Sequence, residues 1–392
     1  MAPEQTLRTE GISKPELPKW HRPEKTKHDL PWADIQTIDL STFDEPGGKE
    51  KLADELRDAI HNTGFFSVVG TSISREEVQR QYDIAQAFFQ LPHEEKAKPD
   101  YKCDFANGNY FGYREIYEAT IRGTEVRNNV EQWNHAKFTE LYEQEARHPF
   151  FNPFQDEIEA FSRKALDVAL QLLELCALIL ELPPAFFAAQ HRYASPSDDH
   201  LRYMSYRPRP LADDARVANT WARAHTDFGT LTLLWSQNVA GLQIKTAGHD
   251  DEEEGWRYVP PVDDDDDAGI VCNVGDALDF WSASYLRSTT HRVVRPPPDQ
   301  LDANRVGLFY FVRPGDDAEI KPAAASPLLQ RLGLVTCGGE EGKGGLEMGE
   351  ETVTGRMYVR ERVKDYHGHG DYADRTGQVF QVGNLKIVDE AR

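Results

Sequence analysis

Short apolar runs rich in β-branched and aromatic residues dominate positions 200–313, and this stretch restricts the chain to a core built from β-sheets. Turn-forming residues separate the runs roughly every 8–15 positions, which is typical of a barrel or sandwich of short strands. We therefore predict a double-stranded sheet barrel or sandwich in this region. The predicted strands are 201–206, 231–235, 241–244, 270–274, 277–281 and 306–312.

The N-terminal half carries helical periodicity instead. Leu52, Leu56 and Ile60 recur every four residues and predict an amphipathic helix that ends near Gly64. A long helix is predicted over about 155–182, and its end is apolar nearly all round, so it should be deeply buried. Further predicted elements are strands at 35–40 and 65–69 and helices at 75–91 and about 351–363.

These patterns divide the chain into five parts. Residues 1–32 are rich in Pro, Lys and Glu without periodicity, which indicates an arm that is either wrapped on the surface or disordered. The other parts are an N-terminal α/β region (33–150), a long support helix with a linker (151–199), the β-rich core (200–315) and a C-terminal extension (316–392).

The charge of the chain argues against two classes of partner. The formal net charge is -22, from 66 acidic and 44 basic residues. Such a field repels phosphate backbones and anionic lipid, so we expect neither nucleic-acid nor membrane binding. No apolar run approaches the ~20 residues of a membrane span, and the first residues lack the apolar core of a signal peptide. We expect a soluble, cytoplasmic protein whose four scattered cysteines are free thiols.

Three other patterns could suggest ligand sites, and each has a weakness. The acidic runs 250–254 and 263–267 lack the alternation of a calcium loop. The Gly-rich segment 337–345 lacks the Ser or Thr that a phosphate-binding loop would need directly after Lys343. His367, His369 and Asp371 form a competing metal cluster, but they are flanked by glycines rather than by a rigid element.

The strongest candidate site combines three residues of the β-rich core. In an extended chain residues i and i+2 project to the same side, so His225 and Asp227 can converge on one point. His291, which begins the run His-Arg-Val-Val, is the candidate third ligand. Two histidines and one carboxylate on one face of a metal leave adjacent positions open, the arrangement of non-haem iron(II) oxygenases.

An arginine on a predicted strand offers a second chemical clue. Arg305, Gly307, Phe309 and Phe311 fall on one strand face. A buried arginine among aromatic residues is costly unless it meets an anion. Its planar fork suits the distal carboxylate of a dicarboxylic co-substrate, although a carboxylate of the protein itself could also satisfy it.

Several motifs in a fixed order resemble one family. They are His225-Thr-Asp-Phe-Gly-Thr-Leu-Thr-Leu-Leu, Gly241-Leu-Gln, Asn273-Val-Gly-Asp-Ala-Leu, Arg287-Ser-Thr-Thr-His-Arg-Val and Arg305-Val-Gly, preceded by Ile38-Asp-Leu, Gly64-Phe-Phe and Phe88-Phe-Gln-Leu-Pro. Together they resemble the isopenicillin-N-synthase-like branch of the iron(II)/2-oxoglutarate-dependent oxygenases over about residues 33–315, and in particular fungal members that act in secondary metabolism or oxidise nucleobases.

The resemblance implies a fold, a cofactor set and site residues. The expected fold is a mostly β core of the α+β class, a double-stranded β-helix (jelly-roll) barrel with flanking helices. The implied cofactors are iron(II), 2-oxoglutarate and dioxygen, with ascorbate as an optional reductant. By position, the iron ligands are His225, Asp227 and His291, and the co-substrate residues are Arg305 and Tyr206.

The expected reaction is hydroxylation, desaturation or ring rearrangement of a small molecule. Candidate substrate residues are Tyr110, Tyr113, Arg114, Phe228, Phe309 and Phe311, with Arg122 as a further candidate anion contact. Gly307 departs from the family, which usually has a serine there. This glycine favours one alternative, a ferrous oxidase that uses no 2-oxoglutarate. An alternative of another class is a zinc hydrolase with the same three ligands. The oligomeric state stays open.

Overall fold

The structure is a computed structural model that describes residues 14–121, 124–246, 255–262, 268–335, 352–367, 371–372, 379–382 and 385–388. Several sequence hypotheses fall outside these ranges. They concern the acidic runs 250–254 and 263–267, the Gly-rich segment 337–345 and Arg122. The cluster of His367, His369 and Asp371 is also outside the description, because the side chains of these three residues are not described. These hypotheses stay predictions.

Two β-sheets form the centre of the protein. The strands are β1 (Thr37–Asp39), β2 (Phe65–Val69), β3 (Gly112–Arg114), β4 (Thr120–Ile121), β5 (Val130–His135), β6 (His200–Tyr206), β7 (Thr220–His225), β8 (Leu231–Trp235), β9 (Leu242–Lys245), β10 (Trp256–Tyr258), β11 (Ile270–Val274), β12 (His291–Val294), β13 (Arg305–Val312), β14 (Asp371–Tyr372), β15 (Val379–Val382) and β16 (Leu385–Val388). Eight of them form one sheet in the order β1-β2-β11-β8-β13-β6-β5-β3, and four form a second in the order β10-β9-β12-β7. The pairs β14-β4 and β15-β16 stand apart.

The two sheets pack against each other through apolar side chains that come from both. Leu234 of the eight-stranded sheet packs with Ile244 of the four-stranded sheet. Met204 and Tyr206 pack in the same way with Val293. Because side chains alternate along a strand, residues two positions apart all project into this layer between the sheets. The layer is where the candidate site lies.

The described helices are α1 (Gly48–Asn62), α2 (Arg75–Phe89), α3 (His93–Lys96), α4 (Gln155–Ile179), α5 (Ala185–Ala188), α6 (Leu211–Arg216), α7 (Asp276–Trp281), α8 (Pro327–Arg331) and α9 (Gly355–His367). Of these, α1, α2 and α4 pack on the strands of the eight-stranded sheet and cover its other face. Helix α4 is the longest, and Phe161 on it lies 4.7 Å, between ring centroids, from Trp235 of β8. Leu172, Leu173 and Cys176 near its end are fully buried. The prediction of a deep helix is therefore confirmed.

One predicted strand is wrong. Residues 276–281 form helix α7 rather than a strand over 277–281. The sequence there buries Ala277, Leu278 and Trp281, which is a helical spacing and not an alternation. Gly275 is extended and begins the helix, and the amide of Asp276 donates to the carbonyl of Asp227 at 2.7 Å. The short helix therefore starts directly behind the candidate site.

Two strands of the four-stranded sheet were not predicted. Strand β7 (Thr220–His225) contains Arg223 and His225, which break the apolar pattern that marks strands in the sequence. Strand β10 (Trp256–Tyr258) has only three residues, all of them partly exposed. Both strands form because they pair with neighbouring strands, β7 with β12 and β10 with β9. Pairing between segments distant in sequence cannot be predicted from the residues of one segment alone.

The described part of the N-terminal arm lies on the surface and has one buried anchor. Trp20 is 5% exposed and stacks on Tyr82 of α2, with ring centroids 4.2 Å apart. Farther along, the hydroxyl of Thr26 donates to Asp299 at 2.8 Å. Residues 14–32 contain no helix. The arm is therefore attached by a few separate contacts.

The described cysteines, Cys103, Cys176 and Cys272, are free, as predicted. Burial raises the pKa of Cys176 to about 12, so this thiol stays protonated and unreactive. In the described part of the chain, no helix is both long enough and apolar enough to cross a bilayer.

The first turn of α2 provides a test of the fold. Ser74 and Glu77 form a capping box, in which each side chain bonds the backbone N–H of the other residue. We expect Ser74→Ala to lower the free energy of unfolding by about 1 kcal/mol, measured by urea denaturation. Ser72→Ala is the matched control, because Ser72 is exposed and precedes the helix. Equal stability of the two variants would contradict the capping role.

Candidate metal centre

Two histidines and one carboxylate meet where β7 ends and β12 begins. His225 is the last residue of β7 and His291 the first of β12, and antiparallel pairing puts them directly opposite each other. Asp227 lies in the turn that leads from β7 to β8, and its two oxygens are each 3.9 Å from the Nε2 atom of one histidine. One ligand atom from each residue lies within 4.8 Å of the others. In the described ranges no other three His, Cys, Asp or Glu residues meet so closely.

Backbone carbonyls orient both imidazoles. Nδ1 of His225 lies 2.8 Å from the carbonyl oxygen of Arg223, and Nδ1 of His291 lies 3.1 Å from that of Thr289. Because a carbonyl oxygen can only accept, each Nδ1 carries the proton and each Nε2 keeps its lone pair. Burial, with a further contribution from His291, lowers the pKa of His225 to about 3. The His225 ring is therefore neutral, the form in which histidine binds a metal, and the Nε2 atoms of both rings face Asp227.

Two polar side chains hold the carboxylate of Asp227. Its Oδ2 atom accepts hydrogen bonds from Thr232 at 2.7 Å and from Asn273 at 2.9 Å. These two residues face each other across β8 and β11. Burial alone would raise the pKa of Asp227, but the nearby histidines and these two donors lower it below its usual range. The sequence offered a signal for both donors, because each is a polar residue inside an otherwise apolar strand.

The donor set fits a ferrous ion. Two imidazole nitrogens and one carboxylate oxygen lie within 4.8 Å of one another, and a metal held by only three such ligands would keep positions free for other ligands. The carbonyls that hold the histidines and the donors that hold Asp227 supply the outer contacts that metal sites need.

Arg305 lies deep in the layer between the sheets, and no described acidic residue pairs with it. It begins β13 opposite Tyr206 of β6, and its guanidinium carbon is 5.0 Å from the centre of the Tyr206 ring. Its Nε and Nη1 atoms are buried, and no described group accepts a hydrogen bond from them. Burial lowers the pKa of this guanidinium, which shows that the charge is held at a cost. An anionic ligand would remove that cost, so Arg305 and Tyr206 fit a co-substrate carboxylate.

Gly307 leaves room for an aromatic ring. A Cβ atom at position 307 would lie 2.4 Å from Cε2 of Phe309, which is closer than real side chains approach. The Phe309 ring therefore lies over the position where the related family has a serine. A serine at 307 would require this ring to move. The glycine that stands in place of the family's serine therefore changes the local packing, because the ring of Phe309 occupies the space of the serine hydroxyl.

One predicted substrate residue faces away from the cluster. Tyr113 on β3 points away from the layer between the sheets, toward Phe88 of α2, and its hydroxyl donates to Glu131 at 2.7 Å. Its neighbour Arg114 is on the opposite face and lies across from Gln132 of β5. Alternation along the strand therefore excludes Tyr113 from a site between the sheets and leaves Arg114 on the correct face.

The other predicted substrate residues lie near the cluster. Phe228 directly follows Asp227 and is 9% exposed, and Phe309 and Phe311 stack on each other at 5.7 Å between ring centroids. Tyr110 is buried, with its hydroxyl donating to the carbonyl of Asp198 at 2.8 Å. The structure thus brings the three phenylalanines to the candidate site, whereas the Tyr110 hydroxyl is already engaged with the backbone.

The C-terminal extension contributes a helix to the site, which sequence reasoning missed. On α9, Tyr358, Arg362 and Tyr366 are spaced by four residues and so share one face. The Tyr366 ring lies 5.7 Å from His225 and 5.9 Å from Phe228, between ring centroids. The spacing was a usable signal, but it did not indicate which part of the fold this face would contact.

Asp276 connects this helix to the segments that carry the candidate ligands. One of its oxygens accepts hydrogen bonds from Thr226 at 3.1 Å, Tyr358 at 3.2 Å and Arg362 at 3.1 Å. The other accepts one from Ser288 at 2.7 Å. Thr226 lies between two candidate ligands, and Ser288 lies three positions before the third. Asp276 therefore ties both ligand segments to α9.

Comparisons with known proteins agree with this geometry. Residues 35–155 match the family described as the non-haem dioxygenase in morphine synthesis N-terminal domain, and residues 197–314 match the 2OG-Fe(II) oxygenase superfamily. UPF0676 protein C1494.01 of Schizosaccharomyces pombe is 30% identical over 78% of this chain and 89% of its own length. The 2-oxoglutarate-dependent dioxygenase htyE of Aspergillus rugulosus is 27% identical over 72% of this chain and 88% of its own length.

A solved structure has the same fold. A full-length Neurospora crassa protein, crystallised in complex with alpha-KG, superimposes with a TM-score of 0.68 at 20% sequence identity, over 84% of this chain and 96% of that chain. The two matched domains and the named relatives identify the enzyme class and its cofactors, iron(II), 2-oxoglutarate and dioxygen. The chain is therefore a dioxygenase that belongs to the iron(II)/2-oxoglutarate-dependent oxygenases, in their isopenicillin-N-synthase-like branch.

Proposed function

We propose that this dioxygenase oxidises a small organic molecule at an iron(II) ion bound by His225, Asp227 and His291. The observation that carries the proposal is the convergence of two histidine nitrogens and one carboxylate oxygen within 4.8 Å of one another. We propose that the reaction is a hydroxylation, a desaturation or a ring rearrangement, and that it belongs to secondary metabolism. We also propose that the two packed sheets form the jelly-roll barrel of the family, and that the chain divides at residues 32, 150, 199 and 315.

We further propose that Arg305 and Tyr206 bind the distal carboxylate of 2-oxoglutarate. The unpaired buried nitrogens of Arg305 support this role, because a buried cation without an anion is unfavourable. The stacked pair Phe309 and Phe311 supplies an apolar wall along the same strand. Iron(II), when bound, supplies the activation of dioxygen that is coupled to decarboxylation of 2-oxoglutarate. The chain's own residues orient the two organic molecules and exclude water from between the sheets.

A 2-oxoglutarate-independent oxidase is the second candidate, because Gly307 offers no hydroxyl to the co-substrate. The packing of Phe309 over Gly307 accounts for the missing serine without requiring a change of co-substrate. The unpaired guanidinium of Arg305 opposes this candidate, since such an oxidase has no dicarboxylate to place there.

Anaerobic titration tests the main proposal. Ferrous iron and then 2-oxoglutarate are added to the metal-free protein, and the weak visible charge-transfer band of the iron chelate is recorded. We expect the band to appear with one equivalent of each, and succinate to form in proportion to product once oxygen and a substrate are present. Bound iron without the band would exclude the co-substrate role.

The outer contacts of the site give a first prediction for variants. We expect His225→Ala to abolish iron-dependent turnover, and Asn273→Ala to weaken iron(II) affinity about 10–100-fold, because Asp227 loses a donor that orients it. Iron affinity is measured by competition with a fluorescent chelator. Asn62→Ala, at the exposed end of α1, is the control and should bind iron normally. An active His225→Ala enzyme would show that the metal binds elsewhere.

The co-substrate residue gives a second prediction. Arg305→Gln removes the charge-assisted hydrogen bonds to the distal carboxylate, each of which contributes roughly 1.5–3 kcal/mol. We expect the 2-oxoglutarate concentration for half-saturation of the visible band to rise at least tenfold, with iron(II) affinity unchanged. Arg305→Lys keeps the charge but lacks the planar guanidinium group. Its 2-oxoglutarate concentration for half-saturation should therefore lie between those of the unchanged protein and of Arg305→Gln. Unchanged 2-oxoglutarate binding in Arg305→Gln would contradict the assignment.

A further inference from the structure

A second arginine lies buried and unpaired near the opposite end of β13. Arg313 follows the last residue of that strand and is 2% exposed. No described residue accepts a hydrogen bond from its Nε or Nη1 atom, and its guanidinium forms no ion pair with any carboxylate that the structure describes. Its guanidinium carbon lies 4.7 Å from the centre of the Phe228 ring and 5.2 Å from that of Phe311. These rings stabilise the charge in part, but they leave its N–H groups unsatisfied.

Arg202 on β6 increases the positive charge at the same place. Its guanidinium carbon lies 4.4 Å from the centre of the Phe311 ring. It donates to the amide oxygen of Asn134 at 2.6 Å and contacts Nε2 of His200 at 3.3 Å, so its partners in the described chain are neutral. Burial, and then the charge of nearby Arg313, lower the pKa of Arg202 to about 10. Two guanidinium groups therefore share one buried region, in which each lies over the ring of Phe311.

Acidic residues close to this region already have cationic partners. Asp198 pairs with Arg360 at 3.2 Å, and Asp276 pairs with Arg362 at 3.1 Å. Asp199 accepts the backbone N–H of Arg313, but its side chain lies 3.8 Å from the ammonium group of Lys137. The positive charge of Arg202 and Arg313 is therefore an excess that these carboxylates do not neutralise.

This excess lies beside the candidate metal centre and away from Arg305. A Cβ atom on Gly229, two residues after Asp227, would lie 3.0 Å from Nη1 of Arg313. Arg305 and Arg313 are eight residues apart along an extended strand, which is about 26 Å of backbone at about 3.3 Å per residue. A single 2-oxoglutarate molecule held by Arg305 therefore leaves Arg313 without an anion.

We propose that Arg313 and Arg202 form a second anion site, which binds the carboxylate of an organic-acid substrate and presents the body of that substrate to the metal. The inference rests on the proposed function, because it assigns the substrate class of the same site. A guanidinium fork favours a planar carboxylate, and Phe228 and Phe311 provide apolar surface beside it. The substrate class is thus a small carboxylic acid with an aromatic or other apolar body.

Matched probes that differ only in charge test this site. The anaerobic protein is loaded with iron(II) and 2-oxoglutarate, and loading is verified by the visible band. Equilibrium dialysis then measures binding of phenylacetate and of its neutral counterpart phenylacetamide, followed by the naphthylacetate and naphthylacetamide pair. We expect each carboxylate to bind at least tenfold more tightly than its amide, with the band retained.

Variants then show which arginines produce the preference for the carboxylate over the amide. Arg313→Gln should reduce the carboxylate preference to less than twofold while leaving the 2-oxoglutarate band intact, and Arg202→Gln should weaken it at least threefold. Arg57→Gln, which removes the same charge from the surface of α1, is the control and should keep the full preference.

The outcomes separate the two proposals. Equal binding of acid and amide by the loaded protein, or a preference that persists in Arg313→Gln, overturns the second anion site and leaves the co-substrate proposal standing. Displacement of the band by the probes also overturns it, because the acids would then be occupying the 2-oxoglutarate position. Failure to form the band at all concerns the proposed function instead. In that case the dialysis comparison with iron alone still decides whether Arg313 selects carboxylates.

Discussion

The antiparallel pairing of β7 with β12 is the constraint on which the rest of the site depends. It sets His225 directly opposite His291, although the two are far apart in sequence. Asp227 completes the group only because the chain turns immediately after β7, and Thr232 and Asn273 of the facing sheet then hold its carboxylate. A one-residue shift in the β7–β12 register would direct one imidazole out of the site.

Much of this arrangement was predictable from the sequence. The strands with strong apolar patterns, such as Leu231–Trp235 and Ile270–Val274, appear where they were predicted. The candidate ligands were identifiable because His225 and Asp227 are two residues apart and His291 begins a second apolar run. Arg305 was identifiable because it begins the run Arg-Val-Gly, which resembles a motif of the family. Strand β7 was missed because its polar residues serve the site rather than a core. The role of α9 was missed because the four-residue spacing along its face does not show which distant segment that face contacts.

The errors also have a physical explanation. Helix α7 was predicted as a strand because a run of six residues is too short to distinguish helical spacing from strand alternation. The helix is fixed instead by backbone hydrogen bonds from Asp276 and Ala277 to the turn that carries Asp227. Tyr113 was predicted to contact the substrate because its segment lies where the N-terminal half of the related family often covers the site. Its position on the outer face follows from its pairing with Trp133 in β5, which no feature of the loop sequence reveals.

Asp276 gives the C-terminal segment an influence on the metal centre that its distance in sequence would not suggest. It bonds Thr226 and Ser288, which lie close to candidate ligands, and also Tyr358 and Arg362 of α9. A chain cleaved before Gly355 would keep every candidate ligand yet leave Asp276 facing an opening, with Tyr366 gone from beside His225. Proteolytic trimming at this end could therefore inactivate the enzyme while sparing all of its candidate iron-binding residues.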